Sequence, residues 1–148
     1  MAVAEPARLP PATERSSYAL WTSDNIRYAD TDRQGHVNNA VYATFCETAR
    51  VGFLYDAALD LHGPSASFAI VRLELDFRAE LFYPGTVDIG TRVLASGERS
   101  FRLGHGIFSG TLCAATAECV MVLIDHMTRK AAPLTPQTRA WLEAQAQR

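Results

Sequence analysis

A chain of 148 residues is long enough to fold as one domain with a substantial buried core. Apolar residues make up 48% of it and charged residues 20%, as in ordinary globular proteins, and its formal net charge is −2 at pH 7. A charge so near neutral, with acidic and basic residues scattered along the chain, does not favour a nucleic-acid-binding protein or one held to a membrane surface by charge.

The N-terminal segment is rich in Pro and Ala, and it predicts a loosely ordered tail over residues 1–15 ahead of a single domain over 16–148. The segment lacks the basic start and apolar stretch of a signal peptide, and no apolar run in the chain approaches membrane-spanning length. The cysteines, Cys46, Cys113 and Cys119, lie in apolar surroundings and cannot all pair within one chain. Such free thiols are typical of the reducing cytoplasm, which is the expected location.

Hydrophobic periodicity predicts the first half of the fold as a strand, a loop and a long helix. Apolar residues spaced along 18–28 predict a short strand, and a polar loop follows over 29–37. Apolar steps of three and four then predict a helix from about Asn39 to Leu61, ended by Gly63 and Pro64. The predicted buried face of this helix consists of Tyr42, Phe45, Cys46, Ala49, Phe53, Ala57 and Leu61.

The second half predicts four antiparallel strands and a short helix. Val71, Leu73, Leu75 and Phe77 alternate with charged residues in the first strand. Turns at 83–86, 96–99 and 109–110 separate it from strands containing 87–93, 101–107 and 112–124. Thr135 as N-cap and Pro136 at the first helical position predict the short helix. This order of elements is typical of an α+β protein whose sheet curls around one long helix.

The loop carries the most informative motif, which reads D-x-D-x-x-G-H-V-N-N-x-x-Y from Asp30 to Tyr42. A helix capped by one of its asparagines would point its first N–H groups back at the loop. A carboxylate beside a helix N-terminus can combine a nucleophile or base with an oxyanion-binding site. With the order of elements, the motif resembles the hot-dog fold acyl-CoA thioesterases of the 4-hydroxybenzoyl-CoA thioesterase-like group. The resemblance covers roughly residues 18–134.

The resemblance implies a hot-dog fold, a curved antiparallel sheet wrapped around one long central helix, in a homodimer or homotetramer. It implies hydrolysis of an acyl-CoA or acyl-carrier-protein thioester without a metal ion or cofactor. It assigns catalysis to Asp32, as nucleophile or general base, and polarisation of the thioester carbonyl to the backbone N–H of Asn39. His36 is a further candidate that could orient the carbonyl or the loop. Asp30 is expected to stabilise the loop, and Glu47 on the helix is a weaker candidate.

Five further residues are candidates for substrate binding. Gly35 allows the substrate to approach the backbone closely, and Asn38 lies at the helix start, which either it or Asn39 caps. Tyr42 is expected in the core with its hydroxyl near the pocket. By the resemblance, Arg99 and Ser100, at a turn between strands, meet the phosphates of coenzyme A. This turn is less basic than in some relatives, which leaves carrier-protein thioesters open.

Other chemistries find less support in the sequence. The segment from Asp30 to Gly35 looks like the start of a calcium-binding loop, but Gln34 and Val41 stand where that loop needs oxygen ligands. The chain has no nucleophile elbow, nucleotide-binding glycine loop or histidine spacing typical of a metal site. A non-catalytic acyl-CoA-binding or regulatory hot-dog domain and a hot-dog dehydratase or hydratase remain as alternatives. The sequence does not distinguish aromatic, medium-chain and branched acyl groups.

Overall fold

The computed structural model describes residues 12–148, so most of the tail predicted over 1–15 lies outside the described residues. A short 3-10 turn over Arg15–Ser17 precedes the first strand, and another over Tyr28–Asp30 follows it. The strands are β1 (Leu20–Ile26), β2 (Ala66–Phe77), β3 (Gly85–Ser96), β4 (Ser100–Ser109), β5 (Leu112–Asp125) and β6 (Ala131–Ala132), and the helices are α1 (Asn39–Leu54) and α2 (Pro136–Ala146).

The strands described form one antiparallel sheet in the order β1-β3-β4-β5-β2, with β6 paired to β5. Helix α1 packs against four of these strands, and its apolar face meets the odd-numbered side chains of β3 and β4 in the core. Phe45 from the helix and Ile89 and Ile107 from the sheet are almost completely buried there. The predicted fold, one antiparallel sheet around one long helix, is therefore confirmed.

Helix α1 is shorter than the periodicity predicted, because it ends at Leu54 and not at Leu61. An Asp56 carboxylate oxygen accepts a hydrogen bond from the backbone N–H two residues later, and such a local bond competes with a further helical turn. The hydroxyl of Tyr55 donates to the carbonyl of Phe68 and accepts from its N–H, which fixes the helix end to β2. Leu61 is buried all the same, in an irregular segment.

The alternating pattern predicted a single buried face for β2. The structure does not keep one along the length of the strand. Val71 and Phe77, predicted on the apolar face, are 61% and 50% exposed. A β-bulge shifts the register between Ile70 and Arg72, so the inward-facing positions change from even to odd numbers within the strand. Since β2 lies at one end of the sheet, one of its edges has no neighbouring strand within the part of the chain described.

Tyr18 covers two glycines on the face of the sheet opposite α1. Gly90 and Gly106 are paired across β3 and β4. A Cβ atom at Gly90 would lie 2.6 Å from Cγ of Tyr18, and one at Gly106 would lie 2.7 Å from its Cε2. The Tyr18 hydroxyl donates to the carbonyl of Ala12 at 2.6 Å, and Phe108 meets the ring edge to face. The two glycines therefore create the space that the tyrosine ring fills.

Candidate active site

The loop between β1 and α1 forms a tight turn around Asp32. The Asp32 N–H donates to the carbonyl of His36 at 2.9 Å, and the Gly35 N–H donates to the carbonyl of Asp32 at 3.0 Å. Gly35 has a φ of +87°, which a residue with a Cβ rarely adopts. Oδ1 of Asp32 accepts from the Gln34 N–H at 2.8 Å. The turn therefore fixes the carboxylate through Oδ1, and Oδ2 faces His36.

Asp30 anchors this turn to the preceding segment. Its side chain is 3% exposed, and its oxygens accept bonds from the Arg27 backbone N–H at 2.7 Å and from the Arg27 guanidinium at 2.9 and 3.1 Å. Its backbone carbonyl accepts from the Asn38 N–H at 2.8 Å. Burial opposes the charged form of Asp30, but the hydrogen bonds from Arg27 outweigh burial and lower the pKa of the carboxyl group. Asp30 is therefore an acceptor that stabilises the loop.

Replacing Asp30 should destabilise the fold in a pH-dependent way. We expect Asp30→Ala to lower the free energy of unfolding by about 2 kcal/mol near neutral pH, because the Arg27 N–H loses its acceptor. Since the folded-state pKa of Asp30 is lowered, its contribution is present above about pH 4 and is lost as the pH falls through that folded-state pKa. Urea unfolding at a series of pH values measures the difference between wild type and variant. A difference that stays constant down to about pH 2 would contradict this role.

The start of α1 offers hydrogen-bond donors close to the same turn. Oδ1 of Asn38 accepts from the Ala40 N–H at 2.9 Å, so Asn38 is the one of the two candidate asparagines that caps the helix. Asn39 is the first helical residue, and its own N–H has no acceptor within the helix. The positive end of the helix dipole lies at the same point. This geometry suits the stabilisation of negative charge on a carbonyl oxygen.

A cavity of about 290 Å³ opens beside the helix start. The Tyr42 hydroxyl donates to the carbonyl of Ala79 at 3.2 Å, and its ring meets Phe77 edge to face at 5.2 Å. Burial raises the pKa of Tyr42, so its hydroxyl keeps its proton and remains a donor. The lining residues come from the loop, from α1 and from the segment after β2: His36, Val37, Asn39, Tyr42, Phe77, Arg78, Ala79 and Glu80.

Asp32 does not line this cavity itself but is connected to it through His36. Oδ2 of Asp32 lies 3.7 Å from Nδ1 of His36, and Nε2 of His36 lies 3.5 Å from Oε1 of Glu80. The Asp32 side chain is 26% exposed, so water can reach its carboxylate. The His36 backbone is paired with Phe82, which holds the imidazole between the two carboxylates. The site thus brings together a carboxylate, an imidazole and a helix start.

The segment after β2 is a part of this site that was not predicted from the sequence. Residues 77–80 join the cavity because the Val37 N–H donates to the carbonyl of Leu81 at 2.8 Å, which brings this segment against the loop. Val37 lies more than forty positions before Leu81 in the chain, so hydrophobic periodicity could not reveal this pairing. The available signal was Arg78 and Glu80, two charged residues directly after an apolar strand.

Arg99 and Ser100 are not brought to this site within one chain. They lie at the turn after β3, whereas β3 begins close to the segment that pairs with the loop. A strand of this length separates its two ends by roughly 35 Å. The Arg99 guanidinium donates to the carbonyl of Ala131 at 3.1 Å, and the Ser100 carbonyl accepts from the Gly97 N–H at 2.8 Å. Their contact with phosphates stays a prediction, and at this site it would need a second copy of the chain.

The buried cysteines are unsuited to act as nucleophiles. Burial raises the pKa of Cys46 to about 12 and that of Cys119 to about 11, so both thiols stay protonated near neutral pH. Cys113 is partly buried, and burial raises its pKa as well. Within residues 12–148, no group of three or more His, Cys, Asp or Glu side chains is arranged to hold a metal ion.

None of the helices described has the length and apolar character needed to cross a membrane.

The chain is similar to known proteins in both sequence and structure. The model of a family described as the thioesterase-like superfamily matches residues 26–142. A 1,4-dihydroxy-2-naphthoyl-CoA hydrolase of Synechococcus elongatus is 25% identical over 126 residues, which cover 82% of this chain and 93% of the relative. The PA5185 protein of Pseudomonas aeruginosa has a similar structure, with a TM-score of 0.81 at 25% identity over 89% of this chain and 94% of that one. YbaW, a probable thioesterase of Escherichia coli, gives a TM-score of 0.74 at 26% identity over 86% and 99% of the two chains.

Proposed function

The chain belongs to the thioesterase-like superfamily, and we propose that it is an acyl-CoA thioesterase that hydrolyses its substrate to a free acid and coenzyme A. The observation that carries this proposal is the Asp32 carboxylate, which is fixed by its own turn and faces His36, a residue that lines a cavity together with Asn39 at the start of α1. The curated relative hydrolyses a coenzyme A thioester according to its name, which supports the same reaction class.

The proposed reaction replaces the carbon–sulfur bond of the thioester by a carbon–oxygen bond from water. In one route the Asp32 carboxylate attacks the carbonyl carbon, the thiolate of coenzyme A leaves, and water hydrolyses the mixed anhydride. In the other route Asp32 removes a proton from water as the water attacks. Both routes require ionised Asp32 and place negative charge on the carbonyl oxygen, which the Asn39 N–H stabilises.

The neighbouring residues would act by positioning. His36, between Asp32 and Glu80, orients the carboxylate relative to the cavity. Gly35 permits the sharp turn, and Asn38 keeps the helix start rigid. Tyr42 shapes the cavity through its bond to the segment after β2.

Assembly and location are part of the same proposal. The open edge of β2, with exposed apolar side chains at Val71 and Phe77, supports pairing with a second copy into a homodimer or homotetramer. In such an assembly a partner subunit could supply Arg99 and Ser100 to the coenzyme A phosphates. The free, unpaired cysteines support a reducing cytoplasm.

A second candidate is a non-catalytic acyl-CoA-binding domain, favoured by the fact that Asp32 does not line the cavity itself. Thiol release from a panel of saturated and aromatic CoA esters, followed with a chromogenic thiol reagent, distinguishes the two functions. The proposed thioesterase releases coenzyme A and free acid in equal amounts from at least one ester. Tight binding of these esters with no thiol release would favour the binding domain.

A further inference from the structure

A second carboxylate lies at the candidate site, beside the ring nitrogen of His36 that faces away from Asp32. Oε1 of Glu80 lies 3.5 Å from Nε2 of His36, whereas Oδ2 of Asp32 lies 3.7 Å from Nδ1. Of the described residues that line the cavity together with Asn39, Glu80 alone carries a carboxylate. The imidazole of His36 therefore separates a carboxylate on the cavity wall from the carboxylate that is proposed to do the chemistry.

The segment that carries Glu80 also holds the imidazole in place. The Val37 N–H donates to the carbonyl of Leu81, and the backbone of His36 is bridged to that of Phe82. The Phe82 ring meets the imidazole edge to face, with the ring centroids 6.1 Å apart. Because Glu80 directly precedes these two anchors in the chain, backbone pairing brings its side chain beside His36.

Two other polar side chains on the cavity wall are bonded elsewhere. Nε of Arg78 donates to the hydroxyl of Thr116 at 3.0 Å. The Tyr42 hydroxyl donates to a backbone carbonyl at 3.2 Å. Neither bond involves the imidazole, so Glu80 is the charged group on this wall that faces His36.

The two distances indicate which ring nitrogen of His36 carries the proton. A carboxylate only accepts hydrogen bonds, and a neutral imidazole has one N–H and one acceptor nitrogen. The 3.7 Å between Nδ1 and Oδ2 of Asp32 is longer than a hydrogen bond and fits two acceptors that face each other. Nε2 lies closer to the Glu80 carboxylate, and catalytic hydrogen bonds that are long in a free enzyme shorten when substrate binds. This arrangement assigns the N–H to Nε2.

We propose that Glu80 is a positioning residue for thioester hydrolysis. It accepts from the Nε2–H of His36 and so keeps the lone pair of Nδ1 facing Asp32. A hydrogen bond at one nitrogen of an imidazole fixes the role of the other nitrogen. This inference rests on the proposed function, and of the two routes given there it selects general-base catalysis by Asp32.

In the general-base route, the oxygen of water bonds to the carbonyl carbon as Asp32 removes a proton from that water. The proton on Oδ2 of Asp32 is then donated to Nδ1 of His36, so protonated Asp32 gains a hydrogen bond that ionised Asp32 lacks. When the carbon–sulfur bond breaks, its electron pair leaves with the sulfur, and the thiolate takes the proton from Asp32. In the nucleophilic route Asp32 attacks without being protonated and gains nothing from an acceptor at Nδ1.

Glu80→Gln tests this role because it removes the charge and keeps the size of the side chain. We expect kcat to fall roughly 3- to 10-fold with KM nearly unchanged, a moderate loss because the Glu80 side chain is 65% exposed. Glu80→Asp, which keeps the charge on a shorter side chain, should retain more of kcat. Asp76→Asn removes the same charge from an exposed residue outside the cavity lining and should leave kcat at its wild-type value.

A double-mutant cycle with His36→Gln shows whether Glu80 acts through His36. Since no imidazole remains in that variant, adding Glu80→Gln to it should change kcat by less than about twofold. Equal losses in both backgrounds, or a wild-type kcat for Glu80→Gln alone, would overturn this inference and leave the proposed thioesterase activity intact. Heavy oxygen found in Asp32 after turnover in labelled water would reveal a mixed anhydride and would overturn it as well. If wild type hydrolyses no ester in the panel, the proposed function is wrong, and this inference with it.

Discussion

Asp32→Asn is expected to slow thioester hydrolysis by roughly a thousandfold, with little effect on folding. The amide is nearly the same size as the carboxylate, and its oxygen can still accept from the Gln34 N–H that fixes the turn. Only the negative charge is lost, so the side chain can neither attack the carbonyl carbon nor remove a proton from water. Single-turnover thiol release, with unfolding curves for both proteins, separates a loss of chemistry from a loss of structure.

The matched control for this change is Asp60→Asn. Asp60 is exposed and lies beyond the end of α1, whereas Asp32 precedes the start of this helix. Asp60 has a φ of 45°, which asparagine adopts readily. We expect this variant to hydrolyse thioesters at the wild-type rate. Wild-type turnover by the Asp32 variant would leave Asp32 with a structural role only and would contradict the proposed mechanism.

Gly90→Ala and Gly106→Ala should each lower the free energy of unfolding by about 2–3 kcal/mol. Each added methyl group would lie within 2.6 to 2.7 Å of ring atoms of Tyr18, far closer than van der Waals contact, so the ring must move. At Gly106 the Phe108 ring stands equally close, which limits that movement. Chemical denaturation measures the loss for each variant.

Gly52→Ala provides the contrast for these two substitutions. Gly52 lies within α1, where the new methyl group would meet the Thr22 hydroxyl at an ordinary 3.7 Å. Because alanine favours a helix more than glycine, this variant should gain up to about 1 kcal/mol. In a Tyr18→Ala background the loss at position 90 should largely disappear, since the obstructing ring is gone. The loss at position 106 should persist in part, because the Phe108 ring still stands 2.7 Å from the added methyl group. Equal stability of the three alanine variants would show that Tyr18 does not pack as described.

Local sequence patterns predicted most of the fold, because the elements they indicate depend on contacts within a few residues. The odd-numbered apolar residues over 87–93 of β3 and 101–107 of β4 are buried as the alternation indicated, and Thr135 caps α2 by accepting from the Thr138 N–H. The end of α1 was predicted wrongly because the apolar period continues through Leu61 while the backbone leaves the helix at Tyr55. That exit combines a local bond at Asp56 with a bond to β2, and the second of these is not contained in any local pattern.

The candidate site, like the fold, was predicted from sequence only where its contacts are local. The motif predicted the loop and a helix cap at Asn38 or Asn39, because both features depend on contacts within a few positions. Glu80 could not be assigned to the site from sequence, since its place beside His36 depends on which segment the sheet brings against the loop. The bulge in β2, which exposes Val71, is likewise a property of strand pairing and not of the alternating pattern.

If a thioester is cleaved at the start of α1, a bound analogue must have its carbonyl there. The direct measurement is a crystal structure with a ketone analogue of an acyl-CoA, in which a methylene group replaces the reactive sulfur. We expect the carbonyl oxygen roughly 3 Å from the Asn39 backbone nitrogen, and a carboxylate oxygen of Asp32 roughly 3.5 Å from the carbonyl carbon or joined to it by one water. A carbonyl bound elsewhere, with the Asp32 carboxylate turned towards bulk solvent, would contradict this mechanism.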